Sequence, residues 1–186
     1  MRGLFAVSLE VSTKSEDNLG VQLSAFNLKI RLKNGHEVPL ENVFHSSKVF
    51  QHGGPFKSLL ALPAGEAKRD ERLTNNGKLI GFTSNGFDWP LTPKTIFYDW
   101  LYINTVMTYP ELLSELEQFN AFSDIEFNPK KSINCQARSA ALLVSLHKQG
   151  LLEKYTADAN SFLINLSKPH VPKEHGQTDM FDFYEQ

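Results

Sequence analysis

A chain of 186 residues with 19 basic and 21 acidic side chains is long enough to bury one core and too close to neutral to coat nucleic acid by bulk charge. Its single cysteine, Cys135, excludes an internal disulfide, and no run reaches the roughly 18 apolar residues that a membrane span needs. The expectation is one soluble domain in a reducing cytoplasm, with any nucleic-acid contact confined to a local patch.

From the N-terminus, Leu4 to Val11 alternates so that Phe5, Val7, Leu9 and Val11 share one face of a strand. Asn34-Gly35, between two extended runs in AFNLKIRLKNGHEVPL, predicts a hairpin. Pro39 then opens a helix to about Gln51, stopped by Gly53-Gly54-Pro55. SLLALPAGEAKRDERL reads as short helical or turn segments, and GKLIGFTSNGFDWPL as two strands about Asn85-Gly86. PKTIFYDWLYINTVM is apolar all round, which predicts a buried helix with Trp100 in the core. Pro110 opens PELLSELEQF, and Ser132 caps INCQARSAALLVSLHKQ, which Gly150 stops. The order predicts an α+β fold, mostly α-helical, as a single domain over residues 1–167 with an N-terminal β-hairpin. Residues 168–186, rich in Pro, Gly and charge, read as a flexible C-terminal tail ending in large apolar residues.

The helix after Pro39 raises a chemical question. On a helix, residues seven apart differ by about 700° of rotation, so Glu41 and Lys48 would fall within roughly 20° of each other and about 10 Å apart along the axis. Phe44 and His45 flank that line. A Glu and a Lys on one face are ordinarily a solvated surface. Here the best apolar set, Leu40, Val43, Phe44 and Phe50, overlaps the charged face, which points to a cleft wall instead.

These residues also carry a resemblance. PLENVFHSSKVF, followed about twenty residues later by GEAKRD, resembles the NADAR family. Glu41, Phe44, His45 and Lys48 fill its first block, with His45 where the family commonly has Gln, and Ala67, Lys68 and Arg69 fit the second. Asp88-Trp89 resembles the family's Asp-Trp before a long central helix, and Asp124 followed by Asn134 resembles its late block. The usual Trp-Gly after the late Asp is replaced by IEFNPKK, leaving Phe127 as the ring to stand there. The resemblance spans about residues 20 to 150. With FYDWLY and NPKKSINCQARS, the chain is similar to the subgroup that serves as antitoxin to DNA-ADP-ribosylating toxins.

The resemblance implies an NADAR-like ADP-ribosyl glycohydrolase that removes ADP-ribose from the exocyclic amino group of guanine in DNA, paired with a cognate toxin. Glu41, Lys48 and Asp124 are then the catalytic candidates. Lys48 would attack the anomeric carbon to give an imine, Glu41 would shuttle protons, and Asp124 would hold ribose hydroxyls or orient Lys48, its plain alternative being a loop cap. Phe44 and His45 would line the substrate. Lys130, Lys131 and Asn134 stand at a helix start suited to a phosphate, although adjacent lysines are commonly just solvated. Lys68 and Arg69 could reach the same diphosphate or the DNA strand, Trp89 on a loop could stack on a base, and Arg138 offers a second rung or an ion pair. His36, His45 and His52 make no zinc spacing and no phosphate-binding glycine loop is present, so neither a metal nor a cofactor is expected. In the tail, Gln177, Met180 and Phe181 resemble the short peptides that dock into sliding clamps; a tail folded back on its own core is the alternative. Two other functions remain open: an N-glycosidase for a small phosphorylated metabolite, and a non-catalytic antitoxin or clamp-binding adaptor.

Overall fold

The computed structural model describes residues 6–124 and 136–167. Strand β1 (Ser8–Glu10) leads to helix α1 (Asn18–Gln22), whose N-cap Asp17 accepts the Leu19 N–H at 2.8 Å. Strands β2 (Lys29–Arg31) and β3 (Glu37–Pro39) pair antiparallel, Ile30 opposite Val38, around the turn that Gly35 closes at φ +84°. Helix α2 (Leu40–Ser46) follows at once, then strand β4 (Lys48–Phe50), a 3-10 turn (Lys57–Ala61) and helices α3 (Ala64–Arg69) and α4 (Arg72–Asn75). Strands β5 (Leu79–Ser84) and β6 (Phe87–Trp89) are joined through Asn85 and Gly86, both at positive φ, the twist a two-residue hairpin needs. The remainder comprises α5 (Ile96–Met107), α6 (Pro110–Leu116), β7 (Ala121–Ser123), α7 (Gln136–Lys148), α8 (Leu152–Thr156) and α9 (Ala159–Ser167). Among the described residues no helix is long and apolar enough to cross a membrane.

The fold is α+β and mostly helical, as the pattern of elements predicts. Three local expectations are corrected, two of them in the N-terminal half of the backbone and the third at Trp89. The helix expected to run to Gln51 ends at Ser46, because Lys48 and Val49 pair with Phe82 and Gly81 of β5 and continue that hairpin as a third strand. Val7, expected on the buried face with Leu9 and Val11, is 50% exposed, since the parallel ladder with β7 begins only at Ser8.

Helix α5 is the axis of the core. Nine of its twelve residues are buried, and it packs against α2, α6, α7 and α9. Phe97 of α5 lies 4.7 Å from Phe82 between ring centroids, and Phe44 of α2 lies 5.3 Å from Phe82 and 5.1 Å from Tyr98, so aromatic contacts fasten the hairpin and α2 to α5 together. Trp89, expected on a loop, closes β6 instead and is 2% exposed, its ring 5.7 Å from Phe97 and 5.5 Å from that of the half-buried Trp100. The apolar hairpin face has nowhere else to go, so the indole is core and not a platform for a base.

Polar ties fix the relative placement of the helices. The Tyr102 hydroxyl donates to the Leu23 carbonyl at 3.0 Å. Asp99, 1% exposed, accepts from the hydroxyls of Thr95 at 2.8 Å and Ser139 at 2.7 Å and pairs with the Arg138 guanidinium, so one buried carboxylate joins α5 to the start of α7. A buried charge stripped of such partners is costly, and so is the reverse, a partner left without its charge. Asp99→Ala should therefore lower unfolding free energy by about 2–4 kcal/mol in urea titration, more than Asp99→Asn, which keeps an acceptor for Ser139.

Candidate active site

Helix α2 begins without a side-chain cap, because Pro39 supplies none. Its first amides are taken by the preceding loop: Leu40 N–H donates to the Leu28 carbonyl at 2.9 Å and Glu41 N–H to that of Ala25 at 3.0 Å. On the opposite flank the Asn42 amide donates to the carbonyls of Leu59 and Leu62 at 3.0 and 2.7 Å, tying the helix to the 3-10 turn. Held on both sides, α2 turns Glu41 and His45 towards α3 and β4.

Four polar side chains then form one continuous row. Glu41 is 2% exposed, and its Oε1 lies 3.1 Å from His45 Nε2 and 3.4 Å from the Nζ of Lys68 on α3. His45 Nδ1 lies 3.0 Å from Lys48 Nζ, which also sits 4.9 Å from the centroid of the Phe44 ring. Lys48 is thus not on the helix with Glu41, as the sequence suggested, but one residue into β4, and the imidazole stands between the amine and the carboxylate. Phe44 is 1% exposed and forms the floor beneath the amine.

The electrostatics follow from burial and this order of groups. Burial pushes the Glu41 carboxyl up, but the hydrogen bond and charge of His45 and the Lys68 ammonium outweigh it, and its pKa lies below the ordinary value. Burial pushes His45 down, the Glu41 hydrogen bond only partly offsets it, and Lys48 adds to the lowering, so the ring is neutral at neutral pH. A neutral ring satisfies both neighbours in one tautomer, with Nε2–H donating to Glu41 and Nδ1 accepting from Lys48. Burial pulls Lys48 down to about 8, against the raising pull of Glu41, with Lys68 lowering it further. About one-tenth of the amine is then unprotonated at pH 7.

The structure accounts for the other sequence candidates one by one. Lys68, expected at a diphosphate or DNA strand, reaches the Glu41 carboxylate and lies 5.3 Å from the Phe26 ring centroid, with its side chain 52% exposed. Arg69 is exposed in the last turn of α3. Arg138 takes the ion-pair alternative, with Asp99. Asp124 follows β7, and its charge, after burial, helps to hold the Tyr102 hydroxyl protonated. Phe127, Lys130, Lys131 and Asn134, and the tail residues Gln177, Met180 and Phe181, lie outside the described residues. Among the described residues no three His, Cys, Asp or Glu side chains gather as metal ligands. A cavity of about 600 Å³ is lined by Trp100 and Asn104 of α5 and Thr108 just after it, with Lys29 and Arg31 of β2, and none of the four residues of the row lines it.

Sequence reasoning missed two residues that hold the row in place. Gln136 Oε1 accepts the Ala25 N–H at 2.6 Å, so α7 braces the residue whose carbonyl receives the Glu41 amide. Gly54, at φ +97°, lies against β4 so closely that a Cβ would stand 2.3 Å from the Lys48 carbonyl oxygen. The GGP signal marked a turn; what it could not reveal was the strand beneath it.

Two consequences are measurable. A lysine pulled from 10.5 to about 8 destabilises the fold. The penalty is fully present below about pH 8 and fades as pH rises towards 10.5, because only the unfolded chain binds that proton in between. Lys48→Met should therefore raise stability at pH 7 by about 2 kcal/mol, with a smaller gain at pH 10, read from urea unfolding at both pH values. Gly54→Ala should cost about 1–3 kcal/mol and broaden the backbone amide resonances of Lys48 and Val49.

The sequence model of the family described as DarT1-associated NADAR antitoxin matches residues 3–176. No curated protein matches the chain.

Proposed function

The chain belongs to the family of DarT1-associated NADAR antitoxins, and from that membership we propose that it is an ADP-ribosyl glycohydrolase that counteracts its toxin by removing ADP-ribose from guanine in DNA. The observation that carries this reading is the Lys48 amine, set 3.0 Å from a neutral imidazole and not against a carboxylate, on a largely buried wall that keeps part of it unprotonated.

The chemistry fits those groups. An N-glycosidic bond to an amino group breaks poorly unless the nitrogen is protonated as it leaves and the sugar carbon gains a nucleophile. Lys48 Nζ bonds to the anomeric carbon while the bond to the guanine nitrogen breaks; the bond from that carbon to the ring oxygen then breaks as the oxygen gains a proton that Nζ loses, giving an imine with the opened sugar. Water then adds to that carbon, the bond to Nζ breaks, and ADP-ribose departs with the amine restored. Glu41, ionised at rest, takes the proton that the attacking amine loses and passes it to the departing base, then takes one from the attacking water and returns it to Nζ. Lys68, half-exposed beside Glu41, offers a positive charge to the diphosphate, with Arg69 next to it on the open side of α3. Asp124 has the role of holding the ribose hydroxyls.

The test is ADP-ribose release from a single-stranded oligonucleotide carrying one ADP-ribosylated guanine. Lys48→Ala should lower release at least about 10³-fold and Glu41→Gln at least about 10²-fold, and borohydride should trap a covalent adduct on wild type that peptide mass spectrometry places at Lys48. Release from a small ribosylated phosphate compound but not from the oligonucleotide would make the protein a metabolite glycosidase. Protection from the toxin that survives Lys48→Ala would make it a binding antitoxin.

A further inference from the structure

We infer that His45 is a positioning residue that works only as the neutral imidazole, accepting from Lys48 at Nδ1 and donating to Glu41 at Nε2, so that loss of this bridge on protonation shuts the site at low pH. The inference rests on the catalytic reading of Lys48 and Glu41 given above, and adds to it a part for the residue between them.

The geometry leaves the ring one workable state. Its two nitrogens lie 3.1 Å from a carboxylate oxygen and 3.0 Å from an amine nitrogen, and the Phe44 ring meets it edge-on with centroids 5.4 Å apart. His45 is itself buried at 6% exposed. The charged groups that face it are Glu41 on its own helix, Lys48 on β4 and Lys68 on α3. In the neutral Nε2–H tautomer both contacts are made. With a second proton on Nδ1, two donors would meet at the distance of a hydrogen bond and two cations would share one buried corner. Lys48 would lose its acceptor and turn from the anomeric carbon. Burial and the two lysines oppose that protonation and Glu41 favours it, with a net lowering, so the gate falls below the ordinary histidine range and the site is open at neutral pH.

The bridge needs one acceptor and one donor, not an imidazole as such. A glutamine offers a carbonyl oxygen to Lys48 and an amide N–H to Glu41 and does not titrate, whereas leucine of similar bulk offers neither. Two readouts test this. The first is single-turnover imine trapping from pH 9 down through the pH at which the His45 ring, followed by its own ¹⁵N shifts, takes up its proton. In wild type the logarithm of the rate should rise with slope one below about pH 8, from Lys48, and with slope two at the acid end, where His45 takes up its proton. His45→Gln should lose less than about tenfold at pH 8 and hold slope one over the same range, while His45→Leu should lose about a hundredfold at every pH. The second readout, long-range ¹H–¹⁵N correlation of the His45 ring, should show the Nε2–H tautomer at pH 7.5.

Slope one throughout in wild type, slope two in His45→Gln, or loss in His45→Gln as large as in His45→Leu would overturn the inference; so would an Nδ1–H tautomer or an imidazolium at pH 7.5. If wild type forms no imine and releases nothing, the glycohydrolase reading fails, and the ring's tautomer and titration still decide the bridge.

Discussion

The structure around the site depends on one constraint, a carboxylate at Glu41 that is 2% exposed and yet ionised. An isolated ionised carboxylate cannot be buried at a tolerable cost, so the chain must bring donors to it. Two elements do so, α2 with His45 from one turn further on and α3 with Lys68, while the Ala25 carbonyl in the loop before α2 accepts the Glu41 N–H and fixes its backbone. The sharp exit from α2 at Ser46 belongs to the same solution. It turns the chain into β4 and brings Lys48 beside the ring instead of beside the acid.

The order of these groups decides which effect wins at Lys48. Direct contact with Glu41 would raise the amine's pKa and suppress it as a nucleophile. With the ring interposed, burial dominates. The Phe44 face below the amine favours the cation by roughly 0.5–1 kcal/mol, less than the penalty of about 3 kcal/mol implied by a pKa of about 8. The amine is therefore available without being free. The fold loses stability for it, as proteins commonly do at a reactive group.

What could be read from the sequence was what short segments decide alone. Asn85-Gly86 specifies its hairpin because such residues accept positive φ at both turn positions, Gly35 supplies the one positive φ of the β2–β3 turn, and the all-round apolar run 96–107 reads as a buried helix. Glu41, Phe44, His45 and Lys48 could be named as a group, but their arrangement could not. Lys48-Val49-Phe50 continues a helical pattern as readily as it starts a strand, and the choice is made by β5, a partner far along the chain. Trp89 misled for the same reason, since Phe97 and Phe162 of two later helices close over it beside its near neighbour Phe87. The meeting of Lys68 with Glu41 and the parallel pairing of β1 with β7 likewise have no local signature.

The brace from Gln136 has a mechanical meaning beyond its hydrogen bond. Ala25 is gripped on its N–H by the start of α7 and on its carbonyl by the start of α2, so a single peptide segment couples two helices that come from opposite ends of the chain. Asp99 clamps α7 to α5 one turn from that grip, through Arg138 and Ser139. The start of α7 is thereby the fulcrum of a short lever whose other arm carries Glu41. A displacement of the start of α7 therefore reaches the backbone of Glu41 through the Gln136 side chain and the two hydrogen bonds at Ala25.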